Sequence, residues 1–396
     1  MIEQHFGASR FIYNQALECK KWFWEEYKQN VSTYGMDKVL NNEMKPKQVW
    51  LKEVYGKALQ SSLRNLDKAY SNFFRGLKKG QNVGFPKFKS KKDSRQSYQY
   101  PTGTKVKLNR VSIPKIGWIK ARTERLPEGK LKTTTVKRVP SGKYFISVLA
   151  EDGFEVTAKA QTTEAKTIGI DLGLKEFAIL SSGEKIDNPK FAKKAKKKIK
   201  HHQRALSRKK KGGKNREQAR RRFAIAHEKV ANQRKDFLHK ASSQIVYDSQ
   251  VNTIVMEDLN IKGMVKNHNM AGAVSDGGWG EFVRQIKYKC EWSGKNFVQI
   301  DRWFPSSKMC SVCGQIKDDL TLADREYICD CGNKINRDLN AAINIKNEGL
   351  NKLLIPEERD VRINKDSTSD GPIRVFEKTL ASTSDELSNV ELAMVC

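Results

Sequence analysis

The apolar positions divide the chain into three textures. Between residues 1 and 79 they recur at helical spacing, in Phe11, Ile12, Ala16 and Leu17 and again in Leu59, Leu63, Leu66, Tyr70, Phe73 and Phe74. A stripe that returns every three or four residues covers one face of a helix, so this stretch predicts a small helical bundle. Trp22, Phe23, Trp24 and Tyr27 fit the same bundle as ordinary core packing. From Gly80 the period shortens to two. Short alternating runs at 106–108, 111–113, 116–119, 133–139 and 144–149 are separated by Pro101, Gly103, Pro114, Gly117, Pro127, Gly129, Pro140 and Gly142. That pattern predicts a small antiparallel barrel or sheet. Lys and Arg alternate with the apolar positions there, which gives one basic face.

From Thr167 onward the texture is α/β. Residues 168–170 and 177–180 read as strands around the turn Gly173-Leu174, and 252–256 as a strand ending at Glu257. Residues 279–292 read as a helix, 296–300 as a strand and 337–346 as a short helix. After about Leu354 the periodicity is lost. Residues 357–396 hold nine acids and five bases among many Ser and Thr, the composition of a disordered tail. There is no internal repeat, and no helix-turn-helix or finger array that could read a long site.

Charge changes this picture most. Lys and Arg number 75 against 45 Asp and Glu, a net charge of +30 over 396 residues. Such a chain needs a polyanion, and nucleic acid is the natural one, because bound phosphates release counterions. The excess is concentrated: residues 190–240 hold 21 basic and three acidic residues, +18 in all. Lys209-Lys210-Lys211-Gly212-Gly213-Lys214 interrupts that stretch, so it predicts a basic helical hairpin with a loose tip. No run of about 18 apolar residues and no signal peptide is visible, so an intracellular, cytoplasmic protein without membrane contact is expected.

Three acids stand where acids are costly. Asp171 follows Ile168-Gly169-Ile170, Glu257 ends Thr253-Ile254-Val255-Met256, and Asp338 precedes Leu339-Asn340-Ala341-Ala342-Ile343. A carboxylate beside a hydrophobic strand must be paired, bind metal or become neutral. Three convergent acids suit two Mg2+ ions and phosphodiester hydrolysis. Of seven cysteines, four fall within 22 residues: Cys310-Ser-Val-Cys313-Gly314 and Cys329-Asp330-Cys331-Gly332. That grouping argues for one structural zinc rather than disulfides. The second pair is CxC rather than CxxC, which is expected to strain its loop.

The segments Ile168-Gly169-Ile170-Asp171-Leu172-Gly173, Val255-Met256-Glu257-Asp258-Leu259-Asn260 and Arg337-Asp338-Leu339-Asn340-Ala341-Ala342-Ile343-Asn344-Ile345 resemble the three RuvC motifs of TnpB (OrfB) proteins. These are encoded by insertion-sequence transposons and are related to type V CRISPR effectors. Phe304-Pro305-Ser306-Ser307-Lys308 before Cys310, Arg234-Lys235-Asp236-Phe237-Leu238-His239-Lys240, and Arg10-Phe11-Ile12-Tyr13-Asn14 are similar to that family too. The likeness runs from residue 1 to about 347.

The resemblance implies a multidomain α+β protein: a RuvC/RNase H-like α/β core with a zinc ribbon insertion, preceded by a helical lobe and a β-barrel (WED/OB-like) domain. The boundaries would be 1–79 for the helical recognition lobe and 80–160 for the barrel. The nuclease core would cover 161–304 with the basic hairpin at 190–240, the zinc ribbon 305–335, the end of the core 336–354 and the tail 355–396. Family members begin with further residues that include a first barrel strand, so the barrel is expected to lack it.

The implied function is an RNA-guided, Mg-dependent DNA endonuclease of a transposon, a monomer whose partners are a guide RNA and double-stranded target DNA beside a short motif. Asp171, Glu257 and Asp338 would be catalytic and hold Mg2+, with Arg337 beside the scissile phosphate. Cys310, Cys313, Cys329 and Cys331 would hold zinc. Nucleic-acid contacts are expected at Arg10, Tyr13, Asn14, Lys87, Gln96, Ser97 and Tyr98 for motif reading, and at Arg220, Arg221, Arg222 and Lys235 on the backbone. Asn336 stands where the family has Asp. The alternatives are a cleavage-deficient RNA-guided DNA-binding protein and an accessory transposase.

Overall fold

The computed structural model describes residues 1–354 apart from 94, 124, 156, 249, 322 and 323; the tail expected at 355–396 lies outside the described residues. The N-terminal stretch is helical, as its period predicts. It comprises α1 (Ile2–Tyr27), α2 (Thr33–Val39), α3 (Lys45–Lys47) and α4 (Gly56–Lys78), with a π-helical turn at Leu40–Met44 and a 3-10 turn at Val49–Glu53. Ile12, Ala16 and Leu17 of α1 are buried with Leu59, Leu63 and Leu66 of α4 in one cluster. The aromatic cluster does not join that core. Trp22, Trp24 and Tyr27 are exposed at the end of α1, because the helix outruns the partners that would cover it.

Two three-stranded antiparallel sheets follow. The first has the order β1 (Gln96–Tyr100), β5 (Lys130–Arg138), β6 (Tyr144–Glu151). The second is β2 (Lys105–Lys107), β3 (Arg110–Ile113), β4 (Gly117–Lys120). Tyr98, Tyr100, Val111, Ile113 and Val136 form a shared core with Phe6 of α1 and Ala58 of α4, so the helical lobe rests on this domain. The two sheets remain separate among the described residues, so no closed barrel forms.

The C-terminal half is built on five strands: β7 (Thr167–Leu172), β8 (Glu176–Leu180), β9 (Lys185–Asp187), β10 (Thr253–Glu257) and β11 (Asn296–Ile300). Their spatial order is β11-β10-β7-β8-β9; β7, β8 and β9 are antiparallel, while β10 runs parallel to both β7 and β11. Between β9 and β10 the chain forms α5 (Phe191–Ser207) and α6 (Lys214–Val246), the basic hairpin. Next come α7 (Ile261–Met264), α8 (His268–Gly277) and α9 (Trp279–Trp292), then after β11 a small hairpin of β12 (Glu326–Ile328) and β13 (Lys334–Asn336), and last α10 (Arg337–Leu354).

Helices cover both faces of this sheet, which is why β10 is apolar without alternation. Ile254 and Met256 are buried with Leu238, Ile245, Phe282 and Ile286 of α6 and α9. Val255 faces the other way, onto Ile345 of α10 and Ile300 of β11. α10 lies unusually close to the sheet. A Cβ on Gly169 would come within 2.1 Å of the Ala342 carbonyl oxygen, and one on Gly349 within 2.3 Å of the Val255 side chain. A glycine inside a strand marks such an approach, and here it lets the helix carrying Asp338 press on the strand carrying Asp171.

Candidate active site

Asp171 is the penultimate residue of β7 and Glu257 the last of β10. The two strands are neighbours in register, with Ile170 opposite Met256, so both carboxylates emerge at the same C-terminal edge. Asp338 is the second residue of α10, which crosses these strands. All three acids are half-buried. Burial raises the Asp171 carboxyl to about 7, with the negative charges of Asp338 and Glu257 adding to it and the Leu172 N–H and Arg337 opposing. Burial and Asp258 raise Glu257 to about 7 as well, against a hydrogen bond from Ser306. Desolvated acids raised further by neighbouring negative charge are the signature of a site that needs added positive charge.

The start of α10 is fixed by three amides spaced four residues apart. Asn336 Oδ1 accepts the N–H groups of Asp338 (3.1 Å) and Leu339 (3.2 Å), a helix N-cap. The Asn at this position therefore performs a capping task that Asp performs equally well. Asn340, fully buried, donates to the Met309 carbonyl at 2.6 Å and accepts from Ser311 N–H at 3.0 Å. Asn344 donates to Ser306 O (2.8 Å) and Met309 O (2.6 Å). Since Ser306 also bonds Glu257, these amides couple Glu257, α10 and the cysteine loop. Sequence reasoning passed over Asn340 and Asn344, although polar residues at i and i+4 on an otherwise apolar helix face were a readable signal.

Arg337 is turned toward the cysteine module. Its Nη1 donates to the carbonyls of Thr321 (2.7 Å) and Asp324 (3.4 Å). Nη1 thus holds the loop in place, while Nε is buried without a partner among the described residues.

The Sγ atoms of Cys310, Cys313, Cys329 and Cys331 lie within 4.8 Å of one another. Cys310 and Cys331 are 3.7 Å apart, Cys313 and Cys329 3.5 Å. Four thiolates about 2.3 Å from one zinc ion would sit about 3.8 Å apart, so the set fits a tetrahedral Zn2+. The short CxC spacing does not hold Cys331 away, because Gly332 takes a left-handed φ of 89° and closes the turn onto Cys329 O. Against the desolvation of burial, the N–H groups of Cys313 and Val312 and the Asn333 amide hold the Cys310 thiol below its ordinary range, while Cys329 and Cys331 beside it are raised.

The expected nucleic-acid contacts divide. Lys87, Ser97, Arg222 and Lys235 are exposed. Tyr13 and Tyr98 are not: they are 5% and 2% exposed and pack inside the helical lobe and the sheet domain, which corrects their expected role as motif readers. Asn14 is occupied by both backbone groups of Lys89, at 2.9 and 2.8 Å. Arg10 bonds Gln96 at 3.2 Å, and Gln96 in turn the carbonyls of Lys91 and Asp93. Arg220 pairs loosely with Glu217. Arg221 Nε donates to Ser141 O at 2.9 Å, and Glu228 one helical stretch later pairs with Lys143 at 2.9 Å, so α6 grips the β5–β6 turn.

Fold and site together define a protein with an α/β sheet, two acids at the ends of adjoining parallel strands and an appended cysteine module, and the comparisons place it. Residues 145–268 match the OrfB_IS605 family, described as "Probable transposase", and 279–345 match "Cas12f1-like, TNB domain". A "Putative RNA-guided DNA endonuclease" of Streptomyces pristinaespiralis is 39% identical over 358 residues, covering 88% of this chain and 85% of that protein. The "Putative RNA-guided DNA endonuclease InsQ" of Escherichia coli (strain K12) is 32% identical, covering 86% of each. A solved Cas12f1-sgRNA-target DNA complex matches at 17% identity and a TM-score of 0.37, covering 87% of this chain and 94% of that one. The chain belongs to the OrfB (TnpB) family of insertion-sequence transposons. Residues 1–29 also match a profile described as "Helix-turn-helix domain", which corrects the expectation that no such segment exists; in the structure this span is one continuous helix, α1.

Proposed function

We propose that this chain is an RNA-guided DNA endonuclease of a transposon, hydrolysing phosphodiesters at Asp171, Glu257 and Asp338. The observation that carries the reading is the placing of Asp171 and Glu257 at the same ends of two adjoining parallel strands, with Asp338 of α10 near enough for its charge to raise Asp171, in a chain whose family relatives are named for that activity. The strand order, with three antiparallel strands extended by two parallel ones, supports a RuvC/RNase H-like core. The hard oxygen donors fit Mg2+, and two such ions would supply an activated water and stabilise the leaving oxygen.

The chain's own residues do the rest. Asp171, Glu257 and Asp338 hold the positive charge that their crowding demands. Ser306 orients Glu257, and Asn336 and Asn340 fix the first turn of α10 so that Asp338 faces Asp171. Cys310, Cys313, Cys329 and Cys331 hold one zinc and thereby fix the loop that α10 hangs from. The basic hairpin tracks phosphates of a guide RNA and its DNA target without reading bases, so target choice falls to RNA pairing. Exposed Ser97, beside the Arg10–Gln96 pair, and exposed Lys87 are where a short flanking duplex motif would be read. The protein acts as a monomer, on DNA of the prokaryotic nucleoid.

The test is to sequence RNA that co-purifies with the protein, then to offer that complex plasmids bearing the matching target. Cutting in Mg2+ that vanishes with Asp171→Ala supports the reading. Target binding without any cutting by the unaltered complex would establish the cleavage-deficient alternative.

A further inference from the structure

The loop after β11 is bound to Glu257 on both sides of one residue. Ile300, the last residue of β11, pairs with Glu257 across the parallel register, and its carbonyl accepts the Asp258 N–H at 3.2 Å. Arg302 then makes an ion pair with Asp258. Ser306, buried, bonds the Glu257 carboxylate itself. Between these ties stands Trp303.

Asp301 shapes the turn that presents it: its Oδ1 accepts the Trp303 N–H at 2.8 Å, and its carbonyl accepts the Phe304 N–H at 3.2 Å. Phe304 turns inward, onto the cluster of Val255, Ile300 and Ile345. Trp303 turns outward and is 85% exposed, the most exposed large hydrophobic side chain among the described residues. An indole left in water contributes little to folding, while its neighbours on either side are pinned to the strand that carries a proposed catalytic acid.

We propose that Trp303 is a stacking platform that holds an unpaired base of the DNA strand next to the carboxylate cluster. The proposal rests on the nuclease reading above. Every base offers a π face once it leaves the duplex, so an exposed indole binds any sequence and suits an enzyme whose specificity lies elsewhere. A paired duplex offers no such face, which makes single-stranded DNA the occupant. Because the turn that carries Trp303 is tied to Glu257 and Asp258, a base stacked there sets which phosphate arrives at the acids, so the residue positions the strand and takes no part in bond breaking.

The full chain with its co-purified RNA is the sample. Ca2+ replaces Mg2+, so that single-stranded oligonucleotides carrying 2-aminopurine at successive positions bind uncut. The unaltered protein should quench one or two adjacent positions. Trp303→Ala should remove that quenching and weaken binding about tenfold, and Trp303→Phe should restore most of both. In Mg2+, Trp303→Ala should raise KM for single strands about tenfold and change kcat by less than about threefold. Unchanged zinc content and circular dichroism would show that the variants fold. Quenching by Trp303→Ala equal to the unaltered protein, or an unchanged KM, would overturn the proposal. If the unaltered protein cuts nothing in Mg2+, the nuclease reading fails, and the quenching in Ca2+ still decides whether Trp303 stacks.

Discussion

Asp338 rides on a helix whose Asn340 is wholly buried and whose Asn344 is nearly so, whereas α5 of the basic hairpin buries no residue at all. Both regions carry strong charge, yet they are built in opposite ways. The acids are held by burial, by close glycine contacts and by amides with no freedom to turn. The hairpin is held at its base, where Leu238, Ala241 and Ile245 of α6 enter the core, and at one waypoint, the β5–β6 turn. Chemistry on a phosphorus atom needs fixed geometry, while a grip on many phosphates tolerates a mobile surface. The contrast predicts that single changes are severe at the acids and slight along the hairpin.

The largest effect is expected from Asp171→Ala. Losing a ligand from the proposed metal site removes several kcal/mol of transition-state stabilisation, so plasmid cutting should fall by about a thousandfold or more. Co-purified RNA should be retained in full. Next comes removal of zinc. Stripping the metal with a chelator should deprotect residues 309–336 in hydrogen exchange, extend that loss into the first turn of α10, and lower cutting about a hundredfold. Exchange confined to the cysteine loops, with cutting unchanged, would break the link through Asn340 and Asn344.

A third test uses pH. Asp171 has a folded-state pKa raised to about 7 from the ordinary value of 3.8. A raised carboxyl stabilises the fold fully below its unfolded pKa and loses that contribution as pH climbs through the folded one. Without divalent metal, the unaltered protein should therefore lose stability relative to Asp171→Asn between about pH 4 and 7, by about 1–4 kcal/mol. Mg2+ should close the gap. A constant difference in Tm across that range would show that the Asp171 carboxyl is not desolvated.

The smallest effects belong to the hairpin. Changing Arg220, Arg222 and Lys235 together to Gln should weaken binding to all sequences alike and lower the salt slope by about one for each phosphate left without its cation. Arg221→Gln should act differently, raising exchange in the β5–β6 turn with little change of slope, because its guanidinium is engaged by Ser141.

Elements with a strong apolar pattern were legible. The α9 helix and the β11 strand fall at the residues their periodicity predicts, and β10 nearly so, while the basic hairpin of α5 and α6 follows from its charge and its Lys-Gly interruption. β1, with the polar sequence QSYQY, and the three-residue β9 carry no such pattern, and their pairing comes from neighbouring strands. The glycine-containing α7 and α8 were likewise silent. At the site, the acids and cysteines stood out because their chemistry is expensive where they sit. Tyr13 and Tyr98 were misread because a phenol serves equally as a reader and as a core residue, and only the fold decides which. Trp303 was overlooked because a single aromatic in a turn has no period, although the Asp301-x-Trp303 turn after a strand was a cue.

Swapping the guide is the decisive measurement for RNA-directed cutting. The same protein is paired with an RNA whose targeting segment has been replaced, and a plasmid carrying both the old and the new target is offered in Mg2+. Cutting should move to the new target and keep the same short flanking motif. Cutting that stays at the old sequence would contradict RNA guidance.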